Sequence, residues 1–125
     1  MMNKYPKQYY EFFTEFNQGE YYKCHDLLEE IWLADRNNLF IKGLLQLAVA
    51  LYHFNNGNII GARKLFSTSY KYLQMYKPEY WDLEINSIIE YIELAIDLLP
   101  NERNIPIDEL NKIGLPEIKL YLQER

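Results

Sequence analysis

Cysteine occurs once in this sequence, at Cys24, which rules out an internal disulfide and a cysteine-built zinc cage. Long apolar runs are lacking as well. The most apolar stretch, residues 39–54, falls short of the ~20 residues a bilayer span needs, and Lys42 interrupts it. The opening Met-Met-Asn-Lys-Tyr-Pro-Lys has no apolar signal core, so the expected location is the cytoplasm, with no membrane partner. Alternation of apolar and polar residues never lasts more than a few positions, which leaves no sign of a sheet. A glycine-rich phosphate loop, a nucleophile elbow and a spaced Cys/His pair are all absent, so no reaction can be assigned. Acidic residues are missing from 36–78, which holds six basic ones. Residues 1–35 set three Lys against seven acids, and residues 79–125 set four basic residues against eleven. The basic middle points either to an anionic partner or, as we expect, to helices neutralising acidic neighbours. It has no Arg-rich run and no nucleic-acid motif, so a nucleic-acid partner is not expected.

What is present is ample for a core. A chain of 125 residues with 49% hydrophobic and 25% charged residues reads as one globular domain, 1–125. Pro6 to Phe16 forms a first helix with Tyr9, Phe12, Phe13 and Phe16 as its apolar stripe. Gly19 caps it, and a second helix runs from about Glu20 to Ala34. The central helix follows over 39–54, apolar nearly all the way round and therefore buried. A fourth helix spans about Asn58 to Tyr76, and a fifth runs from about Glu79 or Tyr80 to Leu99. Two short helices, from Pro106 and from Pro116, make the tail. The fold class is all-α: a compact bundle of about five main helices with a short helical tail. Phe16-Asn17-Gln18-Gly19 recurs 38 residues later as Phe54-Asn55-Asn56-Gly57, each followed by a helix with a small residue at its fifth position. That repetition has the grammar of tetratricopeptide-like helical hairpins.

The densest chemistry lies on the second helix. His25 and Glu29 are four apart and share a face, and Trp32 lies on it seven from His25. On the central helix one stripe breaks the apolar rule: Gly43, Gln46, Ala50 and His53. Helices joined by a short turn are antiparallel neighbours, so the two stripes are expected to face each other. The expected binding site is then His25, Glu29, Trp32, Gln46 and His53. Within it His25, Glu29 and His53 are a candidate set for a divalent metal such as zinc or manganese. A structural polar cluster fixing helix register is the competing reading. Asp26 and Glu30 form a second four-apart pair, expected to point away. Cys24 and His25 project ~100° apart, which argues against a thiolate–imidazole pair. Arg63, Lys64 and Lys71 on the fourth helix offer a weaker anion-binding face.

Phe16-Asn17-x-Gly19-x-Tyr21-x-x-Cys24-His25-Asp26-x-Leu28-Glu29-x-x-Trp32 resembles the signature of the prokaryotic family catalogued as domain of unknown function number 309. So do Phe40-x-x-Gly43-Leu44-Leu45-Gln46 through His53, and Gly57-Asn58-x-x-Gly61-Ala62-x-x-Leu65. The similarity covers roughly residues 10–75. It implies an all-helical, cytosolic prokaryotic protein. It marks His25, Glu29 and Trp32 as the functional motif, with metal binding proposed. Family members often carry Ala-His-Glu where this chain has Cys24-His25-Asp26. The resemblance names no reaction. The expected function is a helical protein whose inter-helix site takes a divalent metal or a small ligand. The alternative is a non-catalytic helical-hairpin module that binds a peptide or self-associates as a homodimer. A metal-dependent hydrolase is the reaction class such a metal set would suit, and nothing in the sequence selects it.

Overall fold

The computed structural model describes residues 3–124. Four helices come first: α1 Lys7–Asn17, α2 Tyr21–Ala34, α3 Leu39–Asn55 and α4 Ile59–Leu73, the last tightening into a 3-10 turn at Gln74–Tyr76. The apolar spacing that foretold them is the spacing that is buried. Tyr9, Phe12, Phe13 and Phe16 of α1 all face inward. Nine residues of α3 are buried, from Phe40 to Phe54, so this helix packs on more than one side. Gly19 and Gly57 close α1 and α3 in the left-handed conformation, at φ +79° and +77°. Asn38 and Asn58 then cap α3 and α4, each side chain accepting a backbone N–H three residues on. The repeated Asn/Gly grammar is thus a repeated helical hairpin, and α3 packs against both α2 and α4. The all-α bundle is the fold. Among the described residues no helix is long and apolar enough to cross a membrane.

Two expectations need correction. The fifth helix, α5, begins at Asn86 and ends at Leu98, not near Glu79. The residues before it form a small antiparallel hairpin, β1 Glu79–Tyr80 with β2 Leu83–Glu84. Its two turn residues, Trp81 and Asp82, have positive φ (48° and 58°), which no helix allows. Non-glycine residues adopt that conformation at a cost. Here the Trp81 ring offsets it by stacking on Tyr5 at 4.9 Å and meeting Tyr9 edge-on at 5.2 Å. The Glu84 carboxylate then accepts the Ser87 N–H and starts α5.

The second correction concerns the tail. Ile107–Ile113 is a 3-10 helix, as a short helix was expected there, but residues 114–124 have no helix. Pro116 to Leu122 instead runs as a strap with neither helix nor strand. Its backbone is satisfied from outside: Asn17 both donates to the Leu120 carbonyl and accepts its N–H, each at 2.8 Å. Tyr91 donates to the Pro116 carbonyl, and the Gln123 N–H donates to the Asp82 carbonyl. With those partners available the strap has no need of helical hydrogen bonds. Upstream, Ile105 pairs with the Gly57 carbonyl, so the C-terminal segment touches both hairpin turns.

Candidate functional site

The α2–α3 hairpin does bring the two polar stripes together, with one shift of register. The residues of α3 that line the hollows it forms with α2 are Lys42, Leu45, Gln46, Val49, Tyr52 and His53. Lys42, Gln46, Val49 and His53 follow a 4, 3, 4 spacing, a true helix face. Gly43 does not belong to it. It faces α4, where a Cβ would lie 2.7 Å from the Leu73 side chain, and its carbonyl accepts from the buried Ser69 hydroxyl at 2.8 Å. The closeness that a glycine permits is therefore spent on α4, while α2 meets larger residues.

On α2 the His25 ring stands between two carboxylates. Its Nε2 lies 3.0 Å from Glu29 and its Nδ1 3.3 Å from Asp26. A neutral imidazole can donate to one of them, and only the imidazolium donates to both. Asp26, expected to point away, turns back toward His25 instead. Glu30 does point away from His25, and accepts from Gln8 of α1 at 3.0 Å.

Below this pair lies a depression of about 240 Å³ lined by His25, Glu29, Trp32, Lys42, Leu45 and Gln46. Four of the five residues expected to form a site meet here. Lys42 is the residue sequence reasoning missed. Its signal in the sequence is its place as the lone charge in an otherwise apolar helix. The Lys42 ammonium sits 4.0 Å from the centre of the Trp32 ring, and Arg36 lies 5.2 Å from it. Two polar atoms of this depression are sealed from solvent without a hydrogen-bond partner: the Trp32 indole N–H and the Gln46 side-chain oxygen. Each such group costs roughly 1–3 kcal/mol.

His53 lines the adjoining depression instead, about 220 Å³ in volume, with Tyr21, Tyr22, His25, Val49 and Tyr52. Its Nδ1 lies 3.3 Å from the Asn58 amide. His25 borders both depressions and joins them. The described residues include no group of three His, Cys, Asp or Glu placed to hold a metal. His25 Nε2 and Glu29 Oε2 are a pair of donors at a spacing two ligands of one cation can have, but the ammonium of Lys42 lines the same depression.

Residues 9–65 match the model of the family described as Domain of unknown function (DUF309). This stretch is similar to a DUF309 domain. It contains α1 from Tyr9 onward, α2, α3 and the first half of α4, and with them every residue that lines the two depressions. The uncharacterized protein YpuF of Bacillus subtilis is 40% identical over 74 residues, which are 56% of this chain and 42% of YpuF. An uncharacterized protein of Aquifex aeolicus is 39% identical over 46 residues, 34% of this chain and 14% of that protein. The chain therefore spans less than half the length of these relatives. No solved structure matches.

Two other candidates within residues 9–65 resolve as structural. Cys24 is fully buried and donates from Sγ to the Phe12 carbonyl, pointing at α1 and away from His25's partners. Burial pushes its thiol up to about 12, with Glu15 and Glu20 adding repulsion. Arg63 of α4 donates to the carbonyls of Leu99 and Pro100, closing the end of α5, so it does not stand free beside Lys64 and Lys71 for an anion.

Proposed function

We propose that the DUF309-like domain of this chain binds a small polar ligand in the depression between α2 and α3. The observation that carries this reading is the pair of sealed, unpartnered atoms, Trp32 Nε1 and Gln46 Oε1, in a hollow that also presents Lys42 and the His25–Glu29 pair. A donor and an acceptor left unpaired behind the lining of one depression are costly to the fold. A ligand group that both accepts and donates, reaching them as the Trp32 and Gln46 side chains shift, would relieve both. Acetamide and glycine carry such groups and serve as probes. The Trp32 indole N–H, distinguished from that of Trp81 with a Trp32→Phe variant, is the reporter. Titration is expected to move the Trp32 signal and leave the Trp81 signal in place. If neither probe moves it at high millimolar concentration, the reading fails.

A divalent cation is the second reading, favoured by the 3.0 Å between His25 Nε2 and Glu29 Oε2. His25 and Glu29 would supply two ligands, with the remaining positions left to water or substrate. Elemental analysis of untagged protein beside His25→Ala tests it. Near-stoichiometric zinc or manganese in the parent, lost from a folded variant, would favour the metal over the organic ligand. An empty parent after incubation with either ion would remove the metal reading.

A further inference from the structure

The polar depression does not end at His25. The α2–α3 groove continues past it into a hollow whose lining, Tyr22, Val49 and Tyr52 among others, is almost wholly apolar. Tyr22 is 60% and Tyr52 38% exposed, with their ring centres 5.6 Å apart, so two large aromatic faces stand open at that end. From Lys42 to Tyr52 is ten residues of helix, a groove of roughly 15 Å. Each hollow alone is smaller than the ~300 Å³ at which ligand sites usually begin, and together they reach that range.

Resting on the reading above, we propose that the ligand is an amphipathic organic acid. Its anionic head lies against Lys42, and its apolar or aromatic body lies past His25, over Val49 and against the exposed faces of Tyr22 and Tyr52. Charge fixes the polarity of the groove. Lys42 and Arg36 crowd the Trp32 ring, the Glu29 carboxylate in the same lining is engaged by His25, and the Tyr22–Tyr52 end offers apolar surface. A carboxylate at Lys42 gains a charge-assisted hydrogen bond. The apolar body removes exposed aromatic surface from water. The proposal is specific about order along the groove: acid at Lys42, body at Val49, His25 between them.

Three probes separate the parts: butanoate, phenylbutanoate and phenylbutanol, each titrated into the whole chain while the Trp32 indole signal and the Val49 methyl signals are followed. Phenylbutanoate is expected to bind about tenfold or more tighter than butanoate. Its ring protons should show contacts to the Val49 methyls, while its carboxylate end moves the Trp32 signal. Lys42→Gln, checked for fold by circular dichroism, should weaken phenylbutanoate about tenfold and leave phenylbutanol unchanged. If butanoate moves Trp32 but the phenyl group adds no affinity, the polar site stands and the amphipathic ligand falls. Equal binding of acid and alcohol, or indifference to Lys42→Gln, also overturns the proposal. If no probe reaches either reporter, it falls together with the reading it rests on.

Discussion

Gly19 and Gly57 hold the same place in the two helical hairpins, yet they will not tolerate a side chain equally. Both have φ near +78° by their values of +79° and +77°, so alanine is strained at either, by about 1–2 kcal/mol. A Cβ on Gly19 would meet nothing within 4 Å, whereas a Cβ on Gly57 would sit 2.1 Å from the Ile105 carbonyl oxygen. Backbone cannot swing aside as a flexible side chain can. Gly57→Ala is expected to cost more than about 3 kcal/mol and Gly19→Ala about 1, read from urea denaturation. Cys24 gives a second test. Its thiol ordinarily ionises near 9 and is pushed to about 12 in the fold. Between those values the unfolded chain has released a proton that the folded chain keeps, so stability falls as pH rises, by about 1.4 kcal/mol per unit. Cys24→Ala lacks this loss. The stability gap between parent and variant should therefore narrow between pH 9 and 10.5, and an unchanged gap would contradict the burial argument. At this scale the gathering of His25, Glu29, Trp32 and Gln46 around one depression was legible, because helical spacing decides which residues share a face. The sequence concealed Lys42, because a cation on an aromatic ring depends on Trp32 of another helix.

Among elements, α1 to α4 were legible for one reason: each buries a stripe whose period is its own. The hairpin at Glu79–Glu84 and the strap at Pro116–Leu122 were not, because long-range partners determine them. Trp81 and Asp82 lack the Asn-Gly chemistry of a tight turn, and their conformation is held by rings from α1 and α3. The strap reads as a helix start, with Pro116 and Glu117, until Asn17 intercepts Leu120 from 103 residues away. Asn17→Ala removes both of those hydrogen bonds at once. It should lower stability by about 2 kcal/mol, at about 1 per bond. Hydrogen exchange at the Leu120 amide should accelerate well beyond the global change. Equal acceleration at Leu120 and in α3 would mean the strap is not a separate unit.

At the scale of the whole molecule, the charge pattern and the family match both run across structural boundaries. The basic middle segment was expected to neutralise acidic neighbours. Three of its cations do something else: Arg36 and Lys42 flank Trp32, and Arg63 holds the carbonyls that end α5. The family match stops at Leu65, inside α4. Beyond that point lie Phe66, Ser69 and Leu73, all fully buried. Leu73 packs over Gly43, and Ser69 donates to the Gly43 carbonyl. A fragment of residues 1–65 would leave that side of α3 open to water, along with a helix carbonyl that has lost its second donor. A helix apolar on nearly every side cannot stay folded with one of its neighbours cut in half. Residues 1–65 should therefore show no cooperative thermal transition by circular dichroism. Residues 1–76, which keep all of α4, should melt cooperatively, though below the full chain because Ile88, Ile89 and Ile92 of α5 are gone. A cooperative melt from the shorter fragment would show that the matched stretch folds by itself, and that α4's second half and the strap are additions to it. Failure of both fragments would extend the folding unit through α5, so that the α2–α3 groove depends on the whole chain for its shape.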